Sequence, residues 1–292
     1  MTASGPEAVC HADHADHERA RIVAHDRVAD DTWRIRIDSP AIAARAVPGQ
    51  FAMLRLPDRH DPLLARPLAV YDTFADAVGP RYADFIYLVH GRFTRALSAA
   101  RPGDEVAIWG PLGNGFRLPA VDHLVLVAGG IGQTALLALA RERLGRARYG
   151  QPPRDAALTR RVTFCWGARH AGMFAAVEDF RTAGCDVHMA TLDGSAGIQG
   201  TVVDLLDSRF SGEGDAAAVQ IACCGPEPMM AAVARWARGR GWPCAVSLET
   251  PMACGVGICF TCVARIRDAD GGWDYRRTCV EGPVFDAEAV EW

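Results

Sequence analysis

The chain contains no lysine. All 31 of its basic residues are arginine, which removes Schiff-base and Walker-type lysine chemistry and reads first as a GC-rich coding bias. It also lacks a basic excess. Against 35 acidic residues those arginines leave a formal charge of −4, so nucleic acid is excluded as the main partner. A long apolar run is missing too. The best candidate, Leu124 to Ala140, is broken by GGIGQT and falls short of the roughly 20 residues a membrane helix needs. Strand, turn and helix are expected there, and no membrane partner. The opening string MTASGPEAVCHADHADHE has neither a basic nor an apolar segment. No secretory signal is expected, and a cytoplasmic, reducing compartment is. The ten cysteines of this 292-residue chain are therefore not read as a disulfide scaffold, which belongs to short secreted chains.

What is present suits a globular protein of two or three modules, with half of the residues hydrophobic and 23% charged. Residues 1–20 are polar and His-rich. His11, His14 and His17 are three apart and could share a helical face, but such terminal tracts are usually solvated tails. Residues 21–118 carry short alternating runs, WRIRI (33–37), FAMLRL (51–56), FIYLV (85–89) and EVAIWG (105–110), punctuated by Pro48-Gly49 and Pro102-Gly103. Alternation with tight turns predicts an antiparallel sheet or small β-barrel. From 119 to 245 the pattern changes to near-continuous apolar runs at 124–128, 161–167, 185–192 and 219–225, separated by stretches of helical period. That alternation predicts a Rossmann-like parallel α/β domain. Residues 246–292 are dense in Cys and Gly and too few to build a core alone, so an inorganic group is expected to staple them.

The strongest chemical signal lies in this last block. Cys254, Cys259, Cys262 and Cys279 form C-x4-C-x2-C followed after sixteen residues by the fourth cysteine, the plant-type 2Fe-2S ligand spacing. Gly255 and Gly257 allow close backbone approach to such a cluster. A structural zinc site would normally offer two short knuckles, and here only Cys259 and Cys262 form one. Unligated thiols are the remaining alternative. The other six cysteines lack metal spacing, and all but Cys224 read as packing. The glycine string Gly129-Gly130-Ile131-Gly132 follows a buried strand and precedes a helix, where backbone amides can approach a pyrophosphate; an ordinary strand-to-helix turn is the plainer reading. Cys224-Gly225-Pro226 closes the fourth apolar run on the same sheet edge. Nicotinamides deliver two electrons as hydride while the cluster takes one, so a flavin is expected between them, in the sheet of residues 21–118.

RPLAV (66–70), GPLGNGF (110–116), AGGIG (128–132), DGSAG (193–197), CGPEPMM (224–230), SLETPMACGVGICFTC (247–262) and RRTCVEGPVFDAEAV (276–290) occur in one order. Together they resemble the ferredoxin-reductase-like superfamily, and most closely the electron-transfer subunits of NAD-dependent dihydroorotate dehydrogenases, over about residues 21–292. The resemblance implies a multidomain chain: a flavin-binding β-barrel, an NAD domain and a carboxy-terminal 2Fe-2S domain. It implies that Arg66, with Pro67, pairs with the FAD pyrophosphate and that Leu68, Ala69 and Val70 line the isoalloxazine. Gly91 and Thr94, at a short helix start, would hold FAD phosphates. Gly129, Gly130 and Gly132 with Asp193, Cys224, Gly225 and Pro226 would surround NAD, Cys224 lying near the hydride path and Glu249 near the flavin. An exposed salt-bridge role is the plainer reading of Glu249. Ala69, Phe93, Ala128 and Ala135 stand where family members commonly have Ser or Thr, Gly, Gly and Pro.

The resemblance also implies an FMN-containing dihydroorotate dehydrogenase catalytic subunit as partner, in a hetero-oligomer. A reductase taking NADH or NADPH and feeding another redox protein, such as an oxygenase or biosynthetic enzyme, is the first alternative. A non-catalytic sensor of iron or redox state is the second. Arg169 is a candidate contact for a 2′-phosphate.

Overall fold

A computed structural model describes residues 14–212, 219–268 and 270–292. Cys10 and His11 lie outside them. The first sheet is antiparallel and built from β1 (Asp16–Ala29), β2 (Thr32–Asp38), β3 (Phe51–Arg55), β4 (Arg66–Ala69), β5 (Asp72–Ala75), β6 (Pro80–Leu88) and β7 (Glu105–Leu112), with short helices α1 (Pro40–Arg45) and α2 (Arg92–Leu97). The strand order is β4-β3-β7-β1-β2-β6-β5. Its two outermost strands, β4 and β5, are separated along the chain by Val70 and Tyr71 alone. A sheet whose edges are joined by two residues must curl round on itself, so this is a barrel in shape, with Ile35, Ile37, Phe85, Val106 and Ile108 filling the inside. The polar tail expected over 1–20 is shorter: Asp16 to Ala20 already pair with Gly110 to Val106. His17 sits in that strand beside Trp109, so it offers no helical metal face.

The second unit contains β8 (His123–Gly129), α3 (Leu137–Arg143), β9 (Arg161–Ala168), α4 (Val177–Ala183), β10 (Asp186–Thr191), β11 (Ile198–Gln199), α5 (Val202–Arg209), β12 (Val219–Cys224), α6 (Glu227–Arg238) and β13 (Cys244–Ser247). Its central parallel strands β8 and β12 are buried on both faces, as their continuous apolar runs require, while β10 and β11 toward the edge are partly exposed. Two ends show familiar chemistry: Thr201 and Asp204 form a capping box at α5, and α4 stops on left-handed Gly184. The glycine string enters a 3-10 turn over Gly130–Ala135 before α3, so the α-helix starts three residues later than Thr134 suggests. The order β11-β10-β9-β8-β12-β13 places the reversal of chain direction across the sheet between β8 and β12. Ligands of open α/β sheets bind in the crevice at that point.

The last block holds the hairpin β14 (Val263–Arg267) and β15 (Trp273–Arg277), and β16 (Val284–Asp286). β16 pairs antiparallel with β13, so the block is grafted onto the α/β sheet. Asn114 of the barrel fastens the junction: its amide donates to the carbonyls of Glu281 (3.1 Å) and Val284 (2.8 Å) and accepts from Val284 N–H (3.1 Å). This contact explains why GPLGNGF and EGPV occur together in one chain. No helix among the described residues is long and apolar enough to cross a membrane.

One buried histidine gives the fold a pH dependence. His123 Nδ1 faces an N–H of the Arg161 guanidinium at 2.8 Å, so it must accept, leaving Nε2 to donate to Thr163 Oγ1 at 2.9 Å. Burial, then the Arg161 charge, push its pKa down to about 4. A depressed histidine contributes stability that is complete above its unfolded value near 6.5 and is lost as pH falls toward 4. Lowering pH across that window is expected to cost up to about 3 kcal/mol at this site. Urea unfolding at several pH values checks it; His123→Gln should flatten the slope, and an unchanged slope would refute the assignment.

Candidate functional site

A cleft of about 700 Å³ opens where barrel, α/β unit and last block meet. That lies within the range of about 300–1,000 Å³ typical of small-molecule sites. The barrel lines it with Arg66, Pro67, Leu68 and Ala69 of β4 and with Thr94 of α2, the α/β unit with Ile131, Thr134, Ala135 and Cys224, and the following loop with Glu249 and Thr250. The Arg66 guanidinium is exposed, donates to Ala65 O at 2.9 Å, and has no carboxylate partner among the described residues. An unpaired guanidinium beside apolar walls fits a flavin with its pyrophosphate. The Thr94 hydroxyl is committed to the backbone of His90, donating to its carbonyl at 2.9 Å and accepting its N–H at 2.7 Å. It shapes the turn at Gly91 and offers itself less readily to a ligand.

Val70 does not line the cleft. It follows Ala69 out of β4 and turns into the barrel core, while its N–H donates to Gln50 O. Of the three residues expected to line an isoalloxazine, Leu68 and Ala69 reach the cleft. Phe93 also packs inside the barrel.

Cys224 ends β12 between Ala128 of β8 and Ser247 of β13. Burial, and then the charge of Glu249, push its thiol well above the ordinary range, so it is a neutral thiol at the crevice floor. Glu249 is reachable from solvent through the cleft, yet the protein crowded around it raises its pKa by desolvation. It has no hydrogen bond or ion pair among the described residues, so the exposed salt-bridge reading is not realised.

The glycines divide by task. A Cβ on Gly132 would stand 2.2 Å from the carbonyl oxygen of Cys224, and one on Gly129 2.4 Å from Met229 Sδ. These two, with Gly225 against Gly129, let the loops after β8 and β12 touch. A Cβ on Gly130 would meet nothing closer than Met173 at 4.0 Å, so its bare face is the one open to a nucleotide. Pro226 caps α6. Gly132→Ala is expected to force the two loops apart, at about 1–3 kcal/mol for overpacking. Steady-state kinetics should show KM for the dinucleotide raised on the order of tenfold with the cluster spectrum unchanged; an unaltered KM would remove the loop from the binding site.

Asp193 is not brought into the cleft. It lies beyond β10, where its carboxylate accepts from Ser195 N–H (2.9 Å) and Ser195 Oγ (2.6 Å), bonds that lower its pKa. Arg169 is exposed nearby, its carbonyl accepting from Asp193 N–H.

The four cysteines form two pairs. Cys254 and Cys259 are in hydrogen-bonding contact, as are Cys262 and Cys279. Among the described residues no three ligating side chains converge on one point. A pair of thiols for each iron suits a 2Fe-2S cluster. Positive φ at Gly255 (75°) and Gly257 (83°) folds the loop, and Val256 N–H donates to Cys254 Sγ at 3.4 Å. Thr261 Oγ1 donates to Cys259 Sγ at 3.2 Å and is the first cause of a pKa drawn down to about 6 there, favouring the thiolate that binds metal. Trp109 Nε1 donates to Cys254 O and secures the loop to β7.

Two threonines join cluster loop and cleft. Thr261 lines the cleft while bonding Cys259, and Thr250, also in the lining, bonds Thr278 Oγ1 at 2.5 Å, whose N–H donates to Cys262 O. Sequence reasoning missed both. Thr261 was within reach, standing inside the CFTC string; the contact between Thr250 and Thr278 exists only in the folded chain.

Residues 249–291 match the family model for the iron-sulfur cluster binding domain of dihydroorotate dehydrogenase B. The chain is 35% identical to the electron transfer subunit of dihydroorotate dehydrogenase B (NAD(+)) of Desulforamulus reducens, over 94% of this chain and 97% of that one. It is 34% identical to the same subunit of Geobacillus thermodenitrificans, over 94% and 98%. Among solved structures, an NADH-dependent reduced ferredoxin-NADP oxidoreductase studied for flavin-based electron bifurcation superposes with a TM-score of 0.78 at 29% identity, covering 94% of this chain and 90% of that one. The ferredoxin reductase of carbazole 1,9a-dioxygenase shares the fold, with a TM-score of 0.64 at 20% identity over 78% and 67%.

Proposed function

The chain belongs to the family of electron transfer subunits of NAD(+)-dependent dihydroorotate dehydrogenase B, and from that premise we propose that it carries electrons between NAD(H) and a dihydroorotate dehydrogenase catalytic subunit in pyrimidine biosynthesis. When bound, FAD exchanges hydride with the nicotinamide and single electrons with the 2Fe-2S cluster. The chain's own residues position these groups. Arg66 is proposed to hold the pyrophosphate, Leu68 and Ala69 to support the ring, and Gly130 to admit the dinucleotide. Cys224, a neutral thiol, would pack against the nicotinamide, and Glu249 would stay protonated more readily than a solvated carboxylate. Cys254, Cys259, Cys262 and Cys279 would ligate the irons.

One observation carries the reading. A single cleft contains the β4 strand, the crevice thiol Cys224 and two threonines that touch the cluster cysteines or their neighbours. On this reading donor, intermediate carrier and acceptor would share one wall. The partner is expected on the outer side of the cluster loop, where Ile258 (80% exposed) and Phe260 (63% exposed) flank the exposed Cys259. A cytoplasmic site of action is part of the proposal.

Anaerobic purification followed by a visible spectrum and metal analysis tests it. Flavin and about two irons per chain, bleached by NADH, would support it; zinc without flavin would sink it. Co-purification then separates a second reading. The likeness to a ferredoxin-NADP oxidoreductase favours a different redox partner on the same carriers, and a pull-down lacking a dihydroorotate dehydrogenase would favour that one.

A further inference from the structure

A second cleft, of about 680 Å³, shares no lining residue with the cofactor cleft. It lies on the seam between barrel and α/β unit. Arg45 and Phe116 face it from the barrel side, Arg143 of α3 and Arg154 from the other, and Arg117 from the connecting segment. Two of these cations are already matched: Arg45 pairs with Asp16, and Arg154 clasps buried Glu142. The other two are not. Arg117 is exposed and has no hydrogen bond or ion pair among the described residues. Arg143 is 2% exposed and meets no carboxylate; its Nη1 and Nη2 donate to the carbonyls of Leu118 (3.0 Å) and Pro119 (2.7 Å), and its Nε is buried without an acceptor. Among the described residues Asp155, at the rim, is the one carboxylate in the lining.

Burying a guanidinium whose nearest counter-charge, Glu142, is already clasped by Arg154 is costly, and carbonyl acceptors compensate it only in part. Desolvation accordingly lowers the pKa of Arg143. A ligand that brings negative charge to Arg117 and to the wall holding Arg143, and lays an apolar body along the half-buried Val47 and Leu118, would complete the arrangement. We propose that this cleft binds a small organic anion of mononucleotide size, a phosphate or carboxylate on a flat apolar body, at a site separate from those of the flavin and the dinucleotide. Because its walls come from both sides of the seam, occupancy would stiffen the barrel against the α/β unit. The inference does not rest on the electron-transfer reading.

The test is calorimetric titration of the holoprotein, with FAD bound and NAD+ saturating so that both cofactor sites are filled. Uridine 5′-monophosphate serves as probe because it lacks adenine, with uridine and inorganic phosphate as separate arms. Saturable binding of the monophosphate, weakened on the order of tenfold by Arg117→Glu, is the expected result. Arg117 is exposed, so that variant should fold, and its unchanged cluster spectrum would verify it; Arg143→Gln is the second variant. Absence of saturable binding at millimolar probe would overturn the proposal, as would binding indifferent to Arg117→Glu. Inorganic phosphate binding as tightly as the monophosphate would overturn the apolar half of the site.

Discussion

Cys262→Ser is expected to abolish electron delivery to a one-electron protein acceptor while NADH oxidation through the flavin to a two-electron dye persists. The side chain is 1% exposed, paired with Cys279, and packed with Phe51, Met53, Leu112 and Met252 against the barrel. Serine lacks the soft thiolate that iron requires, and even an outer partner of a metal site can be worth up to a hundredfold. Loss of a ligand should therefore lower transfer by at least about that factor. Stability should fall as well, because residues 246–292 have little core of their own and metal binding there is folding free energy. Cys259→Ser separates the two effects. Cys259 is exposed, so its replacement removes a ligand with almost no packing loss. Both variants should lose the cluster absorbance; only Cys262→Ser should also lower the midpoint of denaturation of the metal-free protein. Iron retained at the parent level in either variant would refute ligation by the four thiols.

Legibility in the sequence followed how local each signal was. The buried parallel strands were visible because continuous apolar runs such as VQIACC need no partner to be recognised. β1 was missed. It is central in its sheet, yet one face is turned to solvent, and the string DHERARIVAHDRVA hides its apolar positions among charges. β4 and β5 are four residues each, too short for a period; β4 is marked only by the RPLA motif and β5 by nothing. The cluster cysteines and Cys224 lie in compact strings; the fold sets Cys254 beside Cys259, Cys262 beside Cys279, and Cys224 in the lining of the cleft. Asp193 stands apart from the cleft: DGSAG is a local motif, and within it Ser195, two residues on, hydrogen-bonds the carboxylate. Contacts between distant segments, such as Asn114 with Val284 or Thr250 with Thr278, have no sequence signature. They depend on register and docking that only the assembled chain provides.

The seam between barrel and α/β unit supplies the largest expected loss of stability. Asp84 of β6 is fully buried and takes Arg34 Nε at 2.6 Å and Arg36 Nε at 2.6 Å. Arg34 also reaches Asp179 of α4 at 3.0 Å, and Tyr71, at the β4–β5 corner, donates to the same carboxylate at 2.9 Å. Asp84→Asn keeps the shape and removes the charge, leaving two guanidiniums facing a neutral amide. Breaking a buried pair in this way costs about 3–5 kcal/mol. Two features pull the value toward the lower end. Arg36 is partly exposed and lies over the Phe74 ring at 4.2 Å, so it can turn to solvent, and Arg34 retains Asp179. A loss of about 3 kcal/mol is therefore expected from Asp84→Asn, and about 1 kcal/mol from Asp179→Asn, whose carboxylate is a third exposed. The ranking follows from burial. Denaturant titration of both variants would check it, and the double variant should lose less than the sum, because Arg34 is shared. A strictly additive double variant, or an Asp179→Asn loss exceeding that of Asp84→Asn, would show that the barrel core rather than this ionic bridge sets the strength of the seam.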